Sequence, residues 1–208
     1  MKKSLDKILQ GYKLFHKKYA NGTLSIMQSL SSQGQSPDAM IVSCCDSRVD
    51  PSLIMQCDPG DLFVVRNVAN IVPPYENDEA HHDTSAALKF GVSLLNVKHL
   101  IILGHSQCGG IKALLNANNL DMKDPIRNWV SLINTDGFDK ENDDSCAQSA
   151  LLQSHKNCMT FPWIADKVAN HQLIIHLWFF DIKTGQIFCH DEETGKYIHL
   201  ILHKRYIS

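Results

Sequence analysis

His99-Leu100-Ile101-Ile102-Leu103-Gly104-His105-Ser106-Gln107-Cys108-Gly109-Gly110 decides the fold. An apolar run without period-two alternation ends in a histidine, and three residues later a cysteine stands before a Gly-Gly pair at which a helical pattern begins. Strands of a parallel sheet read this way because both of their faces are covered. The pattern repeats upstream, where residues 40–44 form an apolar run that closes in Cys44-Cys45-Asp46-Ser47-Arg48 and a short helix follows over 51–56. Further strands are predicted over 62–65 and 173–180, with helices over 84–96 and 109–116. Strands interleaved with helices imply an α/β fold with a mainly parallel central sheet flanked by helices. The Asp181-Ile182-Lys183-Thr184-Gly185-Gln186 stretch is a turn, so 187–190 returns as an antiparallel edge strand.

The ends of the chain are less regular. Leu5, Ile8, Leu9, Tyr12, Phe15 and Tyr19 recur at helical spacing amid Lys2, Lys3, Lys7, Lys13, Lys17 and Lys18, which predicts an amphipathic N-terminal arm packed on the body or on a partner subunit. A second helix is expected over 23–31. Residues 1–34 therefore read as a helical arm and 35–208 as the α/β core of a single domain. The charged stretch 119–144 reads as a surface excursion around a short helix at 125–132, and 145–170 as helical with an interruption near Pro162.

With 208 residues and a formal charge of -2, the chain has no basic excess for nucleic acid. Its longest apolar runs fall short of the ~20 residues that span a bilayer, and residues 1–20 lack the continuous apolar stretch of an export signal. Seven cysteines, an odd number, then read as reduced thiols and metal ligands in a cytoplasmic protein. Cys57, Cys146, Cys158 and Cys189 have no ligand-like neighbours and read as packing thiols.

In a doubly wound sheet, functional groups collect at the carboxyl ends of strands beside a topological switch point. Cys44 and His105 each end a strand, so neighbouring strands would bring them together, with Cys108 joining from the start of a helix whose dipole favours thiolate. Two sulfurs and one imidazole suit zinc, and three protein ligands leave a fourth position for chemistry. Asp46 and Arg48, two apart in an extended segment, can pair on one face. Two arrangements follow: Asp46 turned to Arg48 beside an open metal site, or Asp46 closing it as fourth ligand.

C-x-D-S-R at 44–48, R-N-x-A-N at 66–70 and G-H-S-x-C-G-G at 104–110 together resemble the β-class carbonic anhydrases, densely over 35–115 and more weakly over 176–185. The resemblance implies zinc on Cys44, His105 and Cys108, a catalytic dyad of Asp46 and Arg48, and a homodimer or higher homo-oligomer. It implies reversible hydration of carbon dioxide to bicarbonate and a proton by zinc-bound hydroxide. Substrate contacts would come from Gln35, Phe63, Val68, Phe90 and the Gly109 backbone, the pattern of the plant-like branch. The bicarbonate-regulated branch typically uses a tryptophan, an arginine and a tyrosine, where this chain has Ile41, Arg66 and Phe180. The His81-His82 pair is a candidate proton shuttle. Competing readings are hydrolysis of carbon disulfide or another heterocumulene on the same scaffold, and a non-catalytic zinc or redox-sensing module.

Overall fold

The computed structural model describes residues 2–22, 25–78 and 82–203, so His81 and Thr23 lie outside the described residues. Among the described residues six strands form one sheet: β1 (Ala39–Cys44), β2 (Leu62–Asn67), β3 (His99–His105), β4 (Ile174–Asp181), β5 (Gln186–Asp191) and β6 (Lys196–His199), in the order β2-β1-β3-β4-β5-β6. The first four are parallel, and β5 and β6 return antiparallel. After β1 the chain moves out to β2 and then crosses back to β3 on the other side of β1. The switch point of the sheet therefore lies between β1 and β3. Ala39 pairs with His99 and Ser43 with Leu103, so the carboxyl ends of these two strands are level.

Among the described residues there are eight α-helices: α1 (Lys2–Phe15), α2 (Ile26–Gln33), α3 (Pro51–Ile54), α4 (Asp83–Lys89), α5 (Gly109–Leu115), α6 (Pro125–Val130), α7 (Asp143–Cys158) and α8 (Pro162–Ala169). Met40, Val42, Leu100 and Ile102 point to one face and are buried with Leu88, Ile111, Val130, Leu151 and Ile164 from α4 to α8. Ile41, Ile101, Leu103 and Phe180 point to the other face, where a smaller cluster packs with Val49 and the end of α3. Covering is thus strongly asymmetric, although the strands are apolar on both faces.

Helix boundaries follow local chemistry. Asp50, Asp124 and Asn142 cap α3, α6 and α7 by accepting from backbone N–H groups of the first turn. Pro162 opens α8 at its first turn, where no intrahelical donor is lost, which divides the helical stretch predicted over 145–170. The helix predicted over 84–96 is α-helical only to Lys89 and continues as a π-turn over Phe90–Leu94. Strand β6 was not anticipated. It follows a second copy of the turn already recognised: Gly185 N donates to Asp181 O and Gly195 N to Asp191 O, both at 2.8 Å, with φ of 71° and 68° at the glycines. Thr184 and Thr194 each donate to the aspartate three residues earlier.

Of the two placements expected for the arm, on the body or on a partner subunit, the first is not found. Helix α1 forms, but Leu5, Ile8, Leu9 and Tyr12 are 58%, 67%, 49% and 61% exposed, so the body of this chain does not cover the stripe. The arm is tied to the core by Tyr19, which donates to Asp58 Oδ1 at 2.6 Å. No helix among the described residues is long and apolar enough to cross a membrane.

Candidate metal centre

Level strand ends bring the predicted ligands together. Cys44, His105 and Cys108 are all buried, and their donor atoms lie within 4.8 Å of one another. The sulfurs of Cys44 and Cys108 are 3.9 Å apart. His105 Nδ1 bonds the Ser106 carbonyl at 2.9 Å, so the proton sits on Nδ1 and the Nε2 lone pair is free. That Nε2 is buried with no hydrogen-bond partner among the described residues. A buried acceptor nitrogen beside two sulfurs calls for a partner, and a soft cation held by all three donors supplies one. The donor set therefore fits zinc.

The protonation of the cluster supports this. The Cys44 thiol is driven far down by its contact with Cys108 and, against its burial, by His105 and the N–H groups of Asp46 and Ala69. Cys108 is driven up by the same contact and by burial. Two sulfurs 3.9 Å apart disfavour a second negative charge, and a divalent ion would supply the counter-charge that holds both as thiolates. Burial lowers the His105 pKa, but Cys44 and the Ser106 carbonyl more than offset it, so the net shift is upward.

Asp46 lies in a tight turn rather than the extended segment expected, since Val49 N donates to Asp46 O at 3.0 Å. The turn still delivers the pair. Asp46 Oδ1 accepts from Arg48 N (2.9 Å) and Nε (3.0 Å), and Oδ2 accepts from Nη2 (2.7 Å). The Arg48 guanidinium holds the Asp46 carboxyl well below the usual carboxylate range, against a smaller opposing effect of burial. Arg48 Nη2 also donates to Gln107 O at 3.3 Å, linking the two ligand loops.

Helix α5 must approach closely for Cys108 to reach the cluster. A Cβ on Gly110 would sit 2.8 Å from Ala69 Cβ and Val68 Cγ1, so only glycine lets the helix start there. Gly109, by contrast, faces open space. Val68 also lines a cleft of about 470 Å³ with Asn67, Thr84, His82 and Trp129. His82 bonds Asp78 at 2.7 Å and lies 3.6 Å from Glu76 in an exposed loop.

The other predicted substrate residues are elsewhere in this chain. Phe63 pairs with Met40, four residues before Cys44, which at ~3.3 Å per residue puts it about 13 Å down the strand. Phe90 stacks on Phe63 at 5.7 Å, and Gln35 is exposed ahead of β1. Three of the four predicted packing thiols are buried, Cys146, Cys158 and Cys189, with complete burial pushing Cys158 up to about 12, whereas Cys57 is only half-buried.

Several supporting groups were invisible in the sequence. Ser106 Oγ donates to Asp181 Oδ1 at 3.3 Å and accepts from Ile182 N at 2.9 Å, so the end of β4 steadies the residue that orients His105. Asp144 accepts from Gln107 N at 3.1 Å. Asp144 sits in a charged stretch that reads as solvated, and nothing near Asp181 in sequence marks it.

The carbonic anhydrase family profile matches residues 39–187, a span that contains the whole cluster. The chain belongs to that family. Its relatives place it in the β class. A carbonic anhydrase of Synechocystis is 33% identical over 199 residues, which is 90% of this chain and 71% of that protein. The chloroplastic beta carbonic anhydrase 5 of Arabidopsis thaliana is 36% identical over 159 residues, 71% of this chain and 52% of its own length. Among solved structures, the beta-carbonic anhydrase CcaA superposes with a TM-score of 0.85 at 29% identity, over 94% of this chain and 99% of that one. A tetrameric beta-carbonic anhydrase of Sordaria macrospora gives 0.69 at 30% identity, over 89% and 93%.

Proposed function

We propose that this chain catalyses the zinc-dependent, reversible hydration of carbon dioxide to bicarbonate and a proton. The observation that carries the reading is the buried, orphaned His105 Nε2 facing two cysteine sulfurs, in a member of the carbonic anhydrase family. Cys44, His105 and Cys108 would hold the metal. Zinc, when bound, supplies a Lewis acid that lowers the pKa of water from 15.7 to about 7, which makes hydroxide available at neutral pH.

The chain's own groups do the rest. Ser106 O keeps His105 in the tautomer whose Nε2 is a donor to metal. Asp46, ionised by Arg48, retains a lone pair on Oδ2 that accepts a hydrogen bond from the attacking water and turns that oxygen toward carbon. Space above Gly109 admits the substrate, and the backbone N–H there suits a bicarbonate oxygen. Val68 supplies an apolar wall next to α5. Phe63 and Phe90 stand too far from Cys44 to serve this chain's centre, so we assign them, with the exposed Gln35, to the centre of a neighbouring copy.

That assignment requires a homo-oligomer, which the tetrameric relative and the uncovered stripe of α1 both support. The plant-like branch is favoured by Ile41 and Phe180 at positions where the regulated branch needs an indole and a phenol. A cytoplasmic setting suits the odd number of cysteines, seven, in this chain.

Stopped-flow hydration of carbon dioxide at pH 8 on zinc-loaded protein tests the proposal. A rate well above buffer is expected, with carbon disulfide inert in a parallel assay. No rate above buffer with zinc bound would refute the enzyme and leave the sensing module.

A further inference from the structure

Arg66, half-buried at the end of β2, has no part in the reaction as derived. Its guanidinium is nevertheless committed on two edges. Nε donates to the Cys44 carbonyl at 3.0 Å and Nη2 to the Asp46 carbonyl at 2.8 Å, while Nη1 pairs with Asp50 Oδ2 at 2.8 Å. Asp50 is itself immobilised, because its other oxygen caps α3 by accepting from Leu53 N at 3.1 Å. Between the two clamped carbonyls, Cys45 N donates to Asn67 O at 2.9 Å.

The Cys45 bond is the last that the β1–β2 ladder supplies, and beyond it no strand pairing constrains residue 46. The planar fork of one guanidinium spans two carbonyls two residues apart, which a lysine ammonium, a point charge, does not. Bonds from a charged donor are roughly twice as strong as neutral ones. One of the clamped residues carries a metal-facing sulfur and the other carries the carboxylate paired with Arg48. Their relative placement is the geometry on which the centre depends, and tolerances there are about 0.5 Å.

We propose that Arg66 is a positioning residue that clamps the Cys44 and Asp46 carbonyls and thereby sets sulfur and carboxylate in register, and that it is not an anion receptor. The inference rests on the metal-centre reading above. The bidentate edge an anion would need, Nε with Nη2, is filled by backbone oxygens.

The test uses the full-length protein, zinc-loaded or cobalt(II)-substituted. Parent protein is measured first: failure to bind metal with thiolate charge-transfer absorption would refute the metal centre itself, whatever Arg66 does. Arg66→Gln is expected to weaken zinc about ten- to hundredfold, the usual effect of losing an outer-shell partner, and to displace the cobalt d–d bands. Its kcat should fall more than its KM changes, and Arg66→Lys should fall between it and the parent. Asp50→Asn keeps an acceptor for the α3 cap but turns an amide toward Nη1. It should shift zinc affinity and spectrum in the same direction by less, and it serves where Arg66→Gln does not fold. Parental zinc affinity and cobalt spectrum in Arg66→Gln, or in Asp50→Asn if the former does not fold, would overturn the proposal. So would bicarbonate that shifts the parent spectrum but not that of Arg66→Gln at unchanged zinc affinity.

Discussion

Replacing Asp46 by asparagine removes one charge and one acceptor while preserving side-chain shape. Of the three bonds from Arg48, an amide oxygen placed at Oδ1 keeps those from N and Nε, and the one from Nη2 to Oδ2 is lost. The Arg48 side chain is 46% exposed, so the missing ion pair is screened by solvent and is worth about 0–1 kcal/mol of stability. For a chain of this size that shifts the melting temperature by about 2–4 °C at most. The kinetic effect should be far larger, because the carboxylate is the group that receives a proton-bearing hydrogen bond from the nucleophile. Loss of one preorganised hydrogen-bonding group at a reacting centre costs roughly a hundred- to a thousandfold in rate. At 1.36 kcal/mol per decade that is about 2.7–4.1 kcal/mol of barrier. Stopped-flow kcat/KM and zinc content are measured on the same samples. Near-parental turnover in zinc-replete Asp46→Asn would remove Asp46 from the mechanism, and loss of zinc would instead make it a ligand.

Cys44→Ser exchanges a thiolate for a hydroxyl, and elemental analysis should show zinc falling to well below one per chain. Acid unfolding reports the Asp46–Arg48 pair with a definite sign. The folded carboxyl titrates below its ordinary 3.8, so the pair's stabilisation is present above that pH and lost as pH falls through the folded pKa. The parent's melting-temperature advantage over Asp46→Asn at pH 6 should therefore shrink below pH 4; an advantage that grows in acid would contradict the pairing. Gly110→Ala forces a methyl against Val68 and the Ala69 backbone, which costs about 1–3 kcal/mol and moves Cys108. Thermal melts and zinc competition should both register it, and parental values in both would mean α5 can retreat freely. Ile8→Asp lies on the uncovered arm and should leave each chain folded while weakening self-association in sedimentation velocity; an unchanged assembly would place the interface elsewhere.

Much of the centre was legible because its chemistry is written locally. Cys44 and the Asp46–Arg48 pair lie within five residues, His105 and Cys108 within four, and each group directly follows a run whose apolar pattern marks a buried strand. Even where the expected extended segment proved to be a turn, the short separation still paired Asp46 with Arg48. Helix starts were readable where a proline stands, at Pro51, Pro125 and Pro162. The π-turn after Lys89 was not, because a lone glycine inside a helical pattern, here Gly91, is tolerated in ordinary helices too. Strand β6 was missed although the Asp-x-x-Thr-Gly turn before it repeats the one at Asp181.

The sequence by itself determined the ligand set, the acid and its arginine, and the parallel α/β order, since donor type and periodicity are properties of neighbouring residues. Tertiary structure alone decided that β1 and β3 are adjacent and level, which makes separate sulfurs and an imidazole into one centre. It also decided that Phe63 and Phe90 lie a strand's length away, and that Arg66 and Asp181 support the ligand loops. Such relations join residues 20 to 75 positions apart through hydrogen bonds and packing. Contacts of that kind arise only when the sheet closes, and they leave no mark in the spacing of any short stretch.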